Sequence, residues 1–196
     1  MLERPELTFP KSVADFVTRT YENSGCVLEY GSGGSTVLAA EIEHLTCFSV
    51  ESDKKWADGL RTWLDTNVPD HSVKLHYCNI GKTGAWGMPE PVRKVMVPRY
   101  AQYPRSVWRR SDFVHPDVVL IDGRFRVGCF LTVLSNIQKP TKILFDDYKE
   151  RSNYHVVEHF FKPVQYVERM AEFDVEPRRL SLGEWRTFLK PSLWPI

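Results

Sequence analysis

The chain has 196 residues, 42% of them hydrophobic, and its 26 Lys and Arg side chains nearly balance 25 Asp and Glu, for a formal net charge of +1. This length suits one domain with a core, and the balanced charge excludes a polycation that holds nucleic acid by charge alone. No apolar run reaches the roughly 18 residues of a membrane span, and the first residues lack the apolar stretch of a secretory signal. The four cysteines stand in apolar segments without metal-ligand spacing: Cys26, Cys47, Cys78 and Cys129. We therefore expect one domain over residues 1–196, no membrane partner, and a cytoplasmic protein with reduced, buried thiols.

Short apolar runs alternate with amphipathic segments along the chain. The runs predict strands over residues 26–30, 46–50, 73–77, 117–121 and 142–145. Helical spacing of apolar residues predicts helices over residues 8–21, around 38–45, 56–64, 127–137 and near 153–161. Two last runs, 164–169 and 172–175, predict an antiparallel hairpin. Strands that alternate with helices indicate an α/β fold, a doubly wound, mostly parallel, seven-stranded sheet with an antiparallel edge hairpin in three αβα layers.

A glycine-rich turn follows the first predicted strand. Ligands of open α/β sheets bind at the carboxyl ends of the strands, and the glycines of residues 31–35 let the backbone approach such a ligand. A dinucleotide fingerprint would place Gly or Ala at position 36, where this chain has Thr36. Glu29 precedes the turn, and residues 25–35 carry no basic side chain, so the local charge favours a cationic ligand over a phosphate.

The acidic-x-Gly-x-Gly pattern of Glu29, Gly31 and Gly33 resembles motif I of class I S-adenosylmethionine-dependent methyltransferases. Glu51, at the end of the second strand, is similar to the acidic residue with which that family holds the ribose hydroxyls. Asn79 and Ile80 follow the third strand, where the family commonly contacts adenine. The resemblance implies cofactor contacts at Glu29, Gly31, Ser32, Gly33, Ser35, Glu51, Ser52, Asn79, Ile80 and Asp122. A βα turn that merely packs a helix on a strand is the alternative.

Three aspartates follow two neighbouring predicted strands. Asp122 ends the fourth strand, and Asp146 and Asp147 end the fifth. Carboxylates gathered at one sheet edge suit Mg²⁺, which would lower the pKa of an acceptor hydroxyl. The alternative is that Asp122 starts an Asp-Gly turn and the other two cap the following helix.

This aspartate pattern resembles metal-dependent O-methyltransferases of the catechol and macrocin types. The resemblance implies Asp122, Asp146 and Asp147 as metal ligands. Catechol-type enzymes carry a catalytic lysine three residues after the first aspartate, where this chain has Phe125. Asp122 would then act as the catalytic base, or an arginine such as Arg124 would orient the acceptor.

Residues 80–112 form a connection too long for a bare loop, and we treat them as an insertion. The insertion carries seven basic against two acidic side chains, together with Trp86, Tyr100, Tyr103 and Trp108. We expect a lid over a small-molecule acceptor or a contact between two copies in a homodimer. Stacking on single-stranded RNA is a weaker alternative, and nucleic acid is an unlikely partner, because no basic face recurs elsewhere.

His155 and His159 belong to an H-x-x-E-H sequence like that of inverted zinc proteases. Only 37 residues follow it, too few for such an enzyme, so we interpret it as a packing helix.

The sequence therefore predicts a methyltransferase that binds S-adenosylmethionine and methylates a small-molecule hydroxyl, with or without Mg²⁺. Two alternatives stay open: a cofactor-binding protein without transfer activity, and an RNA methyltransferase that uses the insertion. A nicotinamide oxidoreductase is disfavoured by Thr36 and the acidic turn.

Overall fold

The computed structural model describes residues 3–195 and contains one seven-stranded sheet. Its strands are β1 Cys26–Tyr30, β2 Thr46–Glu51, β3 Val73–Tyr77, β4 Val118–Ile121, β5 Thr141–Phe145, β6 Gln165–Val167 and β7 Met170–Val175. They lie in the order β3-β2-β1-β4-β5-β7-β6, with β7 antiparallel to both neighbours and the other pairs parallel. The predicted fold class is confirmed. The strand order reverses between β1 and β4, so ligands are expected beyond the carboxyl ends of these two strands.

Helices cover both faces of the sheet. They are α1 Lys11–Glu22, α2 Gly34–Ala40, α3 Lys54–Asn67, α4 Val97–Tyr100, α5 Gln102–Arg105, α6 Arg126–Asn136 and α7 Leu182–Ser192, with 3₁₀ turns at Ala85–Gly87, Lys94–Met96, Val107–Arg109 and Ser152–His159. Within residues 3–195, no helix combines the length and the hydrophobicity that crossing a membrane requires.

The core consists of two apolar clusters, one on each face of the sheet. Successive residues of a strand point to opposite faces, and in β1 Leu28 and Tyr30 join one cluster while Val27 joins the other. Helices α1 to α3 complete the cluster on Val27's side. Helix α6, the insertion and α7 complete the cluster on the side of Leu28. Both faces of β1 are therefore buried, which explains why four of its five residues are apolar or aromatic and why the fifth, Glu29, is buried with them.

Three helix predictions need correction. Helix α2 spans Gly34–Ala40 and does not extend to residue 45, because it begins directly in the glycine turn and residues 41–44 form a turn. Helix α1 begins at Lys11 and not at residue 8, because Pro10 occupies its cap position with an extended backbone. The segment predicted as a helix near 153–161 is a 3₁₀ helix, and its inward residues Tyr154, Val157 and Phe160 recur every three residues, which matches the 3₁₀ period.

Helix α7 was not predicted from the sequence. It begins at a capping box, in which the Ser181 hydroxyl accepts from the Glu184 N–H and the Glu184 carboxylate accepts from the Ser181 N–H. The Ser-x-x-Glu spacing was the sequence signal for this start. Phe188 is the residue through which α7 joins the core.

Candidate functional site

A cavity of about 660 Å³ opens at the carboxyl ends of β1, β2 and β4. Its walls come from the turn after β1 (31–35), the end of β2 (51–53), one face of α3, the insertion (84–87 and Tyr103), the turn after β4 (122–124) and the N-terminal segment within 3–9. Five acidic side chains line it, Glu3, Glu6, Glu51, Asp53 and Asp122, against two basic ones, Lys55 and Arg124. This volume lies in the range of small-molecule sites, and the acidic surplus favours a cationic ligand.

The turn after β1 passes very close to the turn after β4. Gly31 adopts φ +102°, and a Cβ at this position would lie 2.8 Å from the backbone nitrogen of Gly123. Only glycine tolerates both the positive φ and the contact. The absence of side chains on Gly31 and Gly123 therefore allows the two turns that form the floor of the cavity to pack backbone against backbone.

Glu29 lies beneath the turn and does not line the cavity. Its carboxylate is fully buried and accepts hydrogen bonds from the Tyr21 hydroxyl (2.8 Å) and the Thr36 hydroxyl (2.6 Å). Burial raises the pKa of Glu29, while these hydrogen bonds oppose that rise. The Thr36 oxygen also accepts from the Gly33 N–H at 3.0 Å. Thr36, which stands where a dinucleotide fingerprint would have glycine, thus connects Glu29 to the turn.

Glu51 lies at the edge of the cavity, at the end of β2. Its Oε1 accepts from the backbone N–H groups of Ser52 (2.6 Å) and Asp53 (2.8 Å). Within the described part of the chain, the only hydrogen bond that Oε2 accepts is a long one of 3.4 Å from Ser32 N–H. Burial raises the pKa of Glu51, and the backbone N–H groups counteract this. The carboxylate is therefore oriented by the backbone, with one oxygen able to accept from a ligand.

The other predicted cofactor contacts fall into two groups. Ser32, Gly33, Ser35 and Ser52 line the cavity with Gly31 and Glu51. Asn79 and Ile80 do not line it: Asn79 is exposed and accepts from the Gly81 N–H, and Ile80 is buried in the core.

The three predicted aspartates converge as expected. Asp122, Asp146 and Asp147 each offer an oxygen within 4.8 Å of the others. Of the three, Asp122 lines the cavity. The juxtaposition follows from the parallel pairing of β4 with β5, which brings both carboxyl ends to one edge.

Three arginines neutralise this aspartate cluster. The buried Arg126 lies between Asp122 (3.1 Å) and Asp147 (3.3 Å) and donates to the carbonyl of Asp146 at 2.6 Å. Arg169 donates to both carboxylate oxygens of Asp146, at 3.0 and 2.9 Å, and contacts Asp147 at 3.3 Å. Arg151 contacts Asp147 at 2.8 Å. A dication would have to displace guanidinium groups from carboxylates that already have their counter-charges, so these residues do not fit a magnesium site.

Asp122 has an unusual protonation behaviour for an aspartate. Burial raises its pKa to about 7, Arg126 opposes the rise, and the neighbouring Asp146 and Asp147 add to it. A carboxyl group with this pKa exchanges a proton near neutral pH at the cavity wall.

Several cavity residues were not singled out from the sequence. The N-terminal segment crosses the glycine turn so closely that a side chain on Gly34 would collide with the backbone of Glu6 and Leu7. Trp56 donates from Nε1 to the Ser32 carbonyl at 2.8 Å and covers the turn. The Gly33-Gly34 pair was the sequence signal for a close backbone crossing.

The zinc-protease interpretation finds no support. His155 contacts the Tyr148 carbonyl at 3.1 Å, and His159 packs on Phe160 and Phe188. In a 3₁₀ helix, residues four apart do not share a face. All four cysteines lie within the described residues, and each is buried and unpaired, as predicted.

Comparisons with solved structures match this architecture. A methyltransferase-like protein from Silicibacter pomeroyi DSS-3 is 43% identical with a TM-score of 0.91, over 98% of this chain and 99% of that chain. A putative O-methyltransferase from Klebsiella pneumoniae (15% identity, TM-score 0.58, 89% and 84% covered) has the same fold. An O-methyltransferase from Streptomyces achromogenes, involved in tomaymycin synthesis and solved with S-adenosylmethionine, also has this fold (13% identity, TM-score 0.57, 88% of this chain and 82% of that chain covered).

No protein-family model and no curated protein sequence matches the chain. The 43% identity across nearly the whole of both chains, with the same topology, establishes kinship. The chain therefore belongs to the same family as this methyltransferase-like protein, and its fold is that of S-adenosylmethionine-dependent O-methyltransferases.

Proposed function

We propose that this protein transfers the methyl group of S-adenosylmethionine to a hydroxyl of a small-molecule acceptor. The observation that carries the proposal is one cavity with Glu51 at one wall and Asp122 at another, floored by the Gly31–Gly123 contact. This cavity lies at the reversal of strand order, where a ligand of such a sheet binds.

Glu51 would hold the ribose of the cofactor. Its Oε2 is free to accept from a ribose hydroxyl, while the N–H groups of Ser52 and Asp53 fix the carboxylate through Oε1. The acidic walls favour the positive sulfonium. When bound, the cofactor supplies a methyl group already activated for displacement.

Asp122 would take the proton of the acceptor hydroxyl. It lies at the cavity wall, and a pKa of about 7 matches a general base that works near neutral pH. The rest of the chain would contribute positioning and the exclusion of water, the latter through segments 3–9 and 84–87, which line the cavity.

Magnesium assistance is not part of the proposal. Arg126 and Arg169 already occupy the carboxylates that a metal would need. Every step above uses residues that line the cavity.

A small acceptor is favoured over RNA by the state of the insertion's aromatic residues. Tyr100 and Tyr103 are buried, at 2% and 1% exposure, and the Trp108 indole donates to the Tyr30 hydroxyl. These three rings pack within the protein, and of the four aromatic residues named in the insertion only Trp86, at 82% exposure, presents a face on which a base could stack.

The test is calorimetry with S-adenosylhomocysteine beside NAD on the whole chain. We expect binding of the former only, and binding at least about tenfold weaker in Glu51→Gln, which loses a charge-assisted hydrogen bond. Glu43→Gln, an exposed position away from the cavity, is the matched control. If the wild type fails to bind S-adenosylhomocysteine, the proposal is wrong.

Transfer itself is tested with methyl-labelled S-adenosylmethionine and a panel of hydroxyl-bearing small molecules, with RNA as a separate arm. Label in a hydroxyl product supports the proposal. Label in RNA alone, or cofactor binding without label in any arm, contradicts it.

A further inference from the structure

Arg124 lies at the wall of the cavity, and none of the described residues pairs with its guanidinium. Within residues 3–195, its guanidinium makes neither an ion pair nor a hydrogen bond, and its Nε is shielded from solvent with no acceptor. Burying a charged donor without a partner is costly, so such a group in a cavity points to an anionic ligand.

The carboxylates near Arg124 already have other arginines as ion-pair partners. The carboxylates of Asp122, Asp146 and Asp147 are matched by the three guanidinium groups of Arg126, Arg151 and Arg169. No carboxylate of this cluster therefore needs Arg124. Burial lowers the pKa of Arg124, and the nearby Arg126 lowers it further.

Packing on an aromatic ring does not account for Arg124 either. Tyr154 receives the guanidinium groups of Arg126 and Arg151 at 5.8 and 6.0 Å from its ring centre. Among the described side chains, Arg124 is not stacked over a ring. Lys55, the other basic residue of the cavity, is exposed.

We infer that Arg124 binds a carboxylate of a molecule in the cavity, two residues along the chain from Asp122. A guanidinium matches a carboxylate with two parallel hydrogen bonds, which a lysine does not. The inference rests on the proposed function and narrows it, because the acceptor is then a hydroxy acid or a carboxylated phenol. The same chemistry is present in the methionyl carboxylate of the cofactor, so the experiment separates these two sources.

The experiment is calorimetry on the whole chain with three probes: S-adenosylhomocysteine, 5′-methylthioadenosine, which lacks the carboxylate, and salicylate, which carries a carboxylate beside a hydroxyl. The variants are Arg124→Gln and Arg124→Lys, with Arg19→Gln, an exposed arginine of α1, as the control. Circular dichroism establishes that each variant folds. If Arg124→Gln does not fold, Arg124→Lys against the wild type decides, because lysine keeps the charge and loses the paired geometry.

If the acceptor supplies the carboxylate, Arg124→Gln binds S-adenosylhomocysteine normally, and salicylate binds its complex roughly 10- to 100-fold more weakly. If the cofactor supplies the carboxylate, the affinity of Arg124→Gln for S-adenosylhomocysteine falls by that factor, while its affinity for 5′-methylthioadenosine is unchanged. Arg124→Lys falls between the wild type and Arg124→Gln in either case.

Two results together overturn the inference. The first is that Arg124→Gln binds S-adenosylhomocysteine with wild-type affinity. The second is that salicylate either binds Arg124→Gln as tightly as the wild type or binds neither of these two proteins. The inference is also overturned if Arg124→Gln binds both nucleosides more weakly by the same factor, because that result would indicate a structural role for Arg124. Failure of the wild type to bind either nucleoside contradicts the proposed function instead.

Discussion

At the residue scale, Glu29 and Glu51 belong to neighbouring strands of one sheet but have different surroundings. Glu29 is fully buried, and its carboxylate accepts hydrogen bonds from Tyr21 and Thr36. Glu51 instead lines the cavity with one carboxylate oxygen able to accept from a ligand. The predicted cofactor role of Glu29 stays a prediction, and its carboxylate accepts hydrogen bonds from side chains of α1 and α2. The sequence placed both glutamates at strand ends, and only the packing of α1 and α2 around Glu29 separates their environments.

The hydroxyl of Thr36 holds the glycine turn to Glu29. Thr36→Val keeps the shape, removes the donor to Glu29 and the acceptor for Gly33 N–H, and should lower the free energy of unfolding by about 1–3 kcal/mol. Urea unfolding measures this. Thr62→Val, at an exposed position of α3, should change stability by less than about 0.5 kcal/mol. Equal effects of the two variants would contradict the assigned role.

The pKa of Asp122 makes the proposed transfer depend on pH. The raised value of about 7 means that the ionised base is lost as the pH falls through 7, so we expect kcat/KM to drop about tenfold per pH unit well below it. Asp147→Asn removes a neighbouring negative charge and should move the drop to lower pH. Carbon-13 NMR of the aspartate carboxyls, assigned with Asp122→Asn, follows the same titration without an acceptor. A midpoint near 4 in the wild type would sink this prediction.

At the scale of elements, the ends of β4 and β5 meet arginines from three other parts of the fold. Arg126 begins α6, Arg151 precedes the 3₁₀ helix Ser152–His159, and Arg169 lies in the β6–β7 turn. The aspartates were visible in the sequence because each follows an apolar run. The arginines were not, because their approach depends on how distant elements pack.

This arrangement predicts that the wild type does not bind Mg²⁺. Calorimetry at millimolar Mg²⁺ should show no binding, and a chelator should leave S-adenosylhomocysteine affinity unchanged. The double variant Arg126→Gln/Arg169→Gln exposes the carboxylates and should gain affinity for the cation. Wild-type binding that disappears in Asp146→Asn would instead establish the metal site that the sequence suggested.

Helix α7 shows a different limit at this scale. The spacing of Ser181 and Glu184 indicated its capping box. The helix has few buried apolar residues, and Leu182 and Leu189 are 77% and 55% exposed. A periodicity argument has little to detect when one side chain, Phe188, anchors a helix.

At the scale of the whole molecule, the insertion is part of the fold as well as of the cavity wall. Tyr100, Tyr103 and Val107 belong to the core cluster of α6, while residues 84–87 reach the cavity beside Glu51. The Ser52 hydroxyl donates to the Gly87 carbonyl at 3.2 Å, which joins the insertion to the end of β2. The lid role expected of this segment remains a proposal.

Trp86 offers a direct readout of that role, because it is 82% exposed on a segment that lines the cavity. A ligand at Glu51 would contact this segment, so S-adenosylhomocysteine should change the tryptophan fluorescence. We expect a smaller change in Trp86→Phe and a full change in Trp194→Phe, which lies outside the cavity. Identical changes in the two variants would show that the segment does not respond to the ligand.

The sequence by itself determined the strands in chain order, the glycine turn and the acidic residues at strand ends. These features are local: hydrophobic period, turn chemistry and position along a strand carry them. Only the tertiary structure decided that Glu29 is an internal support, that three arginines neutralise the aspartates, and that Arg124 has no partner among the described residues. Ion pairing and burial depend on elements distant in the chain, and their outcome exists only when those elements pack together.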